Sequence, residues 1–244
     1  MNSNASGNIT RVFPKPLVKQ LAKPLVKPLV LGICIFLIAF LVYSKTINFK
    51  LTGLDDTNFV EVCAQSYAAK SVWIDAFKND VLFGKGPTPY YRPVLSLSFA
   101  ASYKIAGTSE KFAHLINVLL HCVSAVIVFF FTRRYIFPLK TSFLAALLFA
   151  VHPAAIYAAA WIPGRNDSIF FIAFFAAFIF FIEYLDKKKL YFLIAHIFFT
   201  LVCFFTKESG IMLPFVFLFY YFTHKEKGKS PSRSYQGVIR CRYE

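Results

Sequence analysis

Six apolar runs, most of them separated by only a few polar residues, leave this chain one class of fold. They fall at about 29–45, 112–132, 141–161, 168–185, 190–206 and 210–223. A run of about 20 apolar residues crosses a bilayer as a helix. The hydrocarbon core offers no water to an open backbone, so each run must satisfy its own hydrogen bonds. Of 244 residues, 57% are hydrophobic and 31 are Phe, more apolar surface than a soluble core of this size needs. The sequence predicts an all-α integral membrane protein of about six transmembrane helices.

The charge pattern orients them. The net charge of +15 would suggest nucleic-acid binding in a soluble protein, but no nucleic-acid motif accompanies it. The positive residues lie mostly between apolar runs, where they act as topology signals and attract anionic lipid. The connections at 133–140 and 186–189 and the tail carry twelve Lys and Arg, whereas the two short connections on the other side carry only Arg165 and Lys207. The positive-inside rule puts both termini in the cytoplasm and the first loop, 46–111, outside. Val94–Ala106 is apolar but short and contains Ser96, Ser98, Ser102 and Lys104. It reads as an interfacial helix, because a crossing there would reverse the charge bias.

Residues 1–28 read as a basic cytoplasmic arm in which KPLV occurs three times, from Lys15, Lys23 and Lys27. Pro14, Pro16, Pro24 and Pro28 predict an extended or partly turned segment. Residues 29–223 form the membrane domain. Residues 224–244 are a cytoplasmic tail whose last fifteen residues change character, which suggests truncation or a shifted reading frame. The five cysteines show no metal or disulfide pattern and read as free thiols.

The chemistry-bearing groups cluster at the outer mouths of the runs. Asp55 and Asp56 follow Gly53, which permits a tight turn back toward the membrane. A carboxylate there suits a general base, and equally a solvated helix cap. Arg92, held extended by Pro93, suits a phosphate fork or an interface anchor beside Tyr90 and Tyr91. Arg165 and Asp167, past Trp161, suit a mutual ion pair or a phosphate site. Lys207 and Glu208 occupy a connection too short to leave the bilayer edge. His114, Asn117 and His121 share one helical face; with no matching carboxylate or Cys, interhelical hydrogen bonding outweighs metal ligation. His152 reads as a helix–helix hydrogen bond. No P-loop, GxSxG, HExxH or dinucleotide fingerprint is present.

The ordered segments LDDTNFV, YYRPVLSLSF, HLINVLLHCVSAVI, FLAALLFAVHPAAIYAAAWIPGRND and FFTKESGIMLPFVFLFYY resemble the N-terminal half of a GT-C-fold glycosyltransferase. The similarity is to transmembrane O-mannosyltransferase-like proteins carrying tetratricopeptide repeats, over about residues 50–222. The resemblance implies a partial GT-C-like fold and a polyprenyl-phosphate sugar donor, mannose among the candidates. It also implies a hydroxyl acceptor, protein Ser or Thr among the candidates, and inversion by direct displacement on the extracytoplasmic face. By position, Asp55 or Asp56 would be the catalytic base, and Arg92, Arg165 and Lys207 would bind the donor phosphate. Asp167 and Glu208 would orient those cations or the sugar. Neither a cofactor nor a metal is required. The partners implied are membrane lipid, the lipid-linked sugar and the acceptor, with no nucleic acid. The expected location is a bacterial inner membrane with the site facing the periplasm. Family members continue through further helices and usually a repeat domain. Two other readings stay open: a transporter or flippase subunit for a lipid-linked anion, and an inactive truncated membrane fragment.

Overall fold

A computed structural model of the chain describes residues 17–86 and 88–229. Among these residues every regular element is helical. Helix α1 spans Leu17–Tyr43 and passes into a 3-10 turn, Ser44–Asn48. The first loop carries short helices α2 (Asp55–Thr57), α3 (Ala64–Ala68) and α4 (Val72–Asp75), with a π turn at Asn58–Val62. Then follow α5 (Pro93–Ala106), α6 (Glu110–Tyr135), α7 (Leu139–Val151) and α8 (Ile156–Ala160). Helices α9 (Arg165–Lys187), α10 (Leu190–Phe204) and α11 (Leu213–Lys229) complete the order.

One expectation is corrected at the start. The proline-rich repeat is helical from Leu17 onward, through Pro24 and Pro28, instead of extended. Each proline removes one backbone donor, but the two lie four residues apart on one face. The intervening Leu25 and Lys27 favour helix, and the helix then packs Ile35, Ala39 and Tyr43 against α6 and α7. The first KPLV begins outside the described residues, as do the last fifteen residues of the tail.

Helix α6 is the axis of the bundle, and α1, α7 and α9 all lean on it. Val118, Cys122, Ala125 and Phe129 of α6 meet the buried faces of α1 and α7. On its other flank, Phe131 packs against Phe175 and Phe178 of α9. A second layer joins α9, α10 and α11 through Ala173, Ala177, Cys203 and Phe217. Apolar residues of α10 and α11 such as Ile194, Phe198, Phe215 and Phe219 remain exposed, as lipid-facing residues are.

Three described helices are long and apolar enough to cross a membrane, and a bent pair, α7 with the Pro153–Ala160 segment, makes a fourth. The pair bends by 53° at His152, whose backbone is extended ahead of Pro153. Six spans were expected; α10 and α11 occupy the last two positions as shorter apolar helices. Helix α5, 14 residues long, rises about 21 Å, less than the ~30 Å hydrocarbon core. Pro93 opens it at the first helical position. It packs into a separate core with the first loop, made of Phe59, Cys63, Tyr67, Leu95 and Phe99. Burial pushes the Cys63 thiol up to about 11, so this cysteine is protonated and inert.

The turn Ile162–Gly164 brings α9 under α8. A Cβ on Gly164 would stand 2.2 Å from the Tyr157 carbonyl oxygen, a contact only glycine avoids. Gly164→Ala should therefore lower stability by about 1–3 kcal/mol, the usual cost of overpacking, read as a drop in the thermal midpoint of the detergent-solubilised chain.

Candidate functional site

At one end of the bundle the start of α6, the start of α9, the bend before α8 and the first loop converge. Arg165 sits at their centre and is fully buried. Its Nε donates to Asn117 Oδ1 (2.9 Å), and one terminal nitrogen donates to Ser102 Oγ (2.9 Å) and the Ser98 carbonyl (3.3 Å). The other donates to the Ala113 carbonyl (3.0 Å). The guanidinium lies 4.2 Å from the Phe99 ring centroid. A buried cation is costly unless its donors are met, and here protein acceptors from α5 and α6 meet them. Asn117 also donates to the Trp161 and Ile162 carbonyls at 2.8 and 3.0 Å. Arg165 was expected to hold a phosphate; the structure places its guanidinium inside the scaffold. Its expected pairing with Asp167 does not form, because residues two apart on a helix face different ways.

Asp167 instead pairs with Lys207. Arg92 forms a bidentate pair with Glu208, Nε to Oε1 at 2.9 Å and a terminal nitrogen to Oε2 at 2.7 Å, and stacks on Tyr90. Each of these two acids therefore lies on a cation from another segment. The Val94 N–H donates to the Phe205 carbonyl, which ties α5 to the end of α10. The first loop and the Lys207–Glu208 connection are thus neighbours, although more than a hundred residues separate them.

Asp55 and Asp56 part company. Gly53, at φ +77°, turns the chain so that Asp55 is exposed and Asp56 is buried. The Thr52 backbone N–H and hydroxyl donate to the Asp56 carboxylate at 2.5 and 2.6 Å. Burial alone would raise this carboxyl, but the Thr52 donors and the nearby backbone N–H groups outweigh it and hold it below the usual carboxylate range. Asp56 is therefore ionised at neutral pH and retains lone pairs for another donor.

Asp56 lines a cavity of about 290 Å³ together with His114, Phe49, Tyr157 and Trp161. A larger cavity, about 450 Å³, is lined by His121, Phe149, His152, Asp167 and Phe171. Different faces of the α8 segment separate the two, with Tyr157 and Ala160 on the first and Ala155 and Ala158 on the second. The shared face of α6 behaves unevenly. Asn117 bonds between helices, and His121 bonds the Ala150 carbonyl at 3.0 Å. His114 departs from the expected interhelical bonding. It is buried, and neither ring nitrogen has a hydrogen-bond partner; the Ala160 carbonyl lies near the ring without hydrogen-bond geometry. His152 caps its own turn by accepting from the Ala154 N–H instead of bridging helices. Among the described residues no group of three His, Cys, Asp or Glu side chains comes together as a metal would need.

Sequence reasoning missed Thr52 and the aromatic wall of the Asp56 cavity. Thr52 lies four residues before Asp56, a spacing that signals a local side-chain bond. The wall, drawn from two segments more than a hundred residues apart, left no local signal.

Residues 87–239 match the family model described as dolichyl-phosphate-mannose-protein mannosyltransferase. This chain belongs to that family. The match contains Arg92, Arg165, Asp167, Lys207 and Glu208, and begins downstream of Asp55 and Asp56. Protein O-mannosyl-transferase Tmtc1 of Drosophila melanogaster is 30% identical over 179 residues, which cover 71% of this chain and 20% of the relative. Protein O-mannosyl-transferase TMTC1 of Mus musculus is 32% identical over 160 residues, 59% of this chain and 17% of the relative. TMTC2 of the same species is 33% identical over 125 residues, 48% of this chain and 15% of the relative. This member of the mannosyltransferase family thus spans about a fifth or less of the length of these curated relatives. No solved structure matches the chain.

Two outcomes follow for this family member. Arg165→Lys keeps the charge but cannot reach all four acceptors. Each charge-assisted bond lost costs about 1.5–3 kcal/mol, so the thermal midpoint should fall further than for any exposed Lys or Arg variant. For Asp56, a depressed folded-state pKa gives a stabilising contribution that is present above the unfolded carboxylate's value, ~3.9. That contribution is lost as pH falls through the lower folded value. Thr52→Val removes one donor and leaves burial less opposed, so acid unfolding of the variant should begin at a higher pH than in the wild type.

Proposed function

We propose that this chain carries the extracytoplasmic reaction centre of a membrane glycosyltransferase that moves mannose from a polyprenyl-phosphate donor to a protein hydroxyl. The observation that supports this most is that an ionised, cavity-lining carboxylate and the Lys207–Asp167 pair lie at the same end of the bundle, on either side of α8. Family membership supplies the sugar and the protein acceptor as the class of substrates. The basic residues support the facing: Arg134, Glu183 and Lys187 interlock at the far end of α6 and α9, about 30 Å along α6 from His114. We place that end in the cytoplasm with both termini. The bacterial inner membrane is part of the proposal alone; the relatives named above come from Drosophila melanogaster and Mus musculus.

In this reading Asp56 takes the proton of the acceptor hydroxyl as its oxygen attacks the anomeric carbon. The bond from that carbon to the phosphate oxygen breaks, the electron pair leaves with the lipid phosphate, and configuration inverts. Lys207, across α8 from Asp56, leaves Asp167 for the phosphate only where the donor crosses the end of α8, and there stabilises its growing charge. The apolar lining of the larger cavity takes the polyprenyl chain. Arg92 is held by Glu208, the residue after Lys207, and Arg165 acts through the scaffold as a positioning residue.

The test is sugar transfer from a polyprenyl-phosphate mannose donor by the full-length natural protein in lipid nanodiscs. Asp56→Asn should lower kcat by about 10²–10⁴, the usual contribution of a general base, while Asp55→Asn should change it little. Undiminished turnover in Asp56→Asn would remove the proposed base. Donor movement across the membrane without transfer would favour a transporter.

A further inference from the structure

His114 is the one buried imidazole of α6 whose nitrogens the protein leaves unmet. It is 3% exposed and forms part of the same cavity wall as Asp56. An unpaired buried polar group costs about 1–3 kcal/mol, and its neighbours show that the bundle can supply partners. Asn117 uses both ends of its amide, and His121 reaches a carbonyl. His114 meets Phe49 edge to face, with centroids 6.2 Å apart, and the Ala160 carbonyl lies near the ring without hydrogen-bond geometry. A neutral imidazole offers one donor and one acceptor, the complement of a hydroxyl group, which is also both.

The rest of the wall narrows the ligand. Phe49, Tyr157 and Trp161 give flat apolar faces, while Asp56, Thr52 and Lys50 give the other polar groups. At about 290 Å³ the cavity is at the small end of ligand sites, which run from about 300 to 1,000 Å³. That suits one polyhydroxylated ring better than a peptide segment or a lipid chain. We propose that His114 is a substrate contact that binds a hydroxyl of the transferred hexose, with the ring lying against the aromatic wall and Asp56 at its edge. This rests on the glycosyltransferase reading above and adds to it the residue that recognises the sugar.

The experiment separates the two. ¹⁵N-labelled histidine spectra of the full-length protein in nanodiscs are recorded with polyprenyl-phosphate mannose and no acceptor, and with polyprenyl phosphate lacking the sugar. The His114 ring resonances should shift with the first and not with the second, a readout that needs no turnover. In transfer assays, His114→Phe should raise the donor KM about tenfold, the loss of one or two hydrogen bonds, with acceptor KM and kcat much less affected. His114→Gln, which keeps a donor and an acceptor, should recover most of that loss. If His114→Phe does not fold, His114→Gln against His114→Ala gives the same comparison, with thermal midpoints as the control. No sugar-dependent shift, as for a ring that only holds a structural water, overturns the inference, and so does an effect confined to the acceptor KM. If Asp56→Asn stays fully active while the sugar-dependent shift persists, the base assignment falls and the sugar site stands.

Discussion

A single buried guanidinium organises the polar end of this bundle. The three nitrogens of Arg165 draw on α5 through Ser98 and Ser102 and on α6 through Ala113 and Asn117. A cation at the first residue of a helix is opposed by the helix dipole, so its placement depends on those acceptors. The dependence runs both ways. Ser102 Oγ and the Asn117 amide oxygen gain a charged donor, and hydrogen bonds to charged groups are worth about 1.5–3 kcal/mol against about 1 for neutral ones. The first-loop core and the membrane helices are therefore joined by a polar clamp at their boundary, where neither the loop core nor the lipid-facing helices alone could supply an apolar seam.

Fixing Arg165 fixes the residues around it. Asp167, two residues on, must face away from the clamp, and it meets Lys207 at the end of α10. Gly164, one residue before, lets the turn pass against the Tyr157 carbonyl, which sets α8 between the two cavities. Asn117 holds the Trp161 and Ile162 carbonyls and so fixes Trp161 as a wall of the Asp56 cavity. The same network that stabilises the fold thus sets the spacing between the carboxylate, the lysine and the aromatic surface.

Much of this was legible in the sequence. Apolar runs and the Lys and Arg count gave helical segments in the right order and identified Val94–Ala106 as short. Gly53 marked the turn before the acids. The ordered YRP, GRxD and KExG segments pointed to the family that the comparisons then showed. What the sequence could not show was how the charges divide. Arg165 and Lys207 are both lone cations in short connections, yet one is buried among carbonyls and the other pairs with Asp167 at a cavity edge. That difference depends on α5 folding back to present Ser98 and Ser102, a tertiary event with no local periodicity. The prolines of the KPLV repeat misled for the opposite reason: a strong local rule yielded to helix continuity where α1 packs on α6.

The distribution of satisfied and unsatisfied groups distinguishes scaffold from site. Arg165 and Asn117 are buried and matched by protein partners, so replacing them damages folding first. Asp56 is buried, accepts from Thr52 and nearby backbone N–H groups, and still lines the cavity. His114 is buried and unmatched. Lys207, Asp167, Arg92 and Glu208 are matched but partly exposed, and ion pairs open to solvent contribute little to stability, about 0–1 kcal/mol. Pairs that weak can exchange partners at small cost, whereas the buried clamp cannot. The bundle thus combines a buried polar clamp, matched by protein acceptors, with a rim of weaker charge pairs.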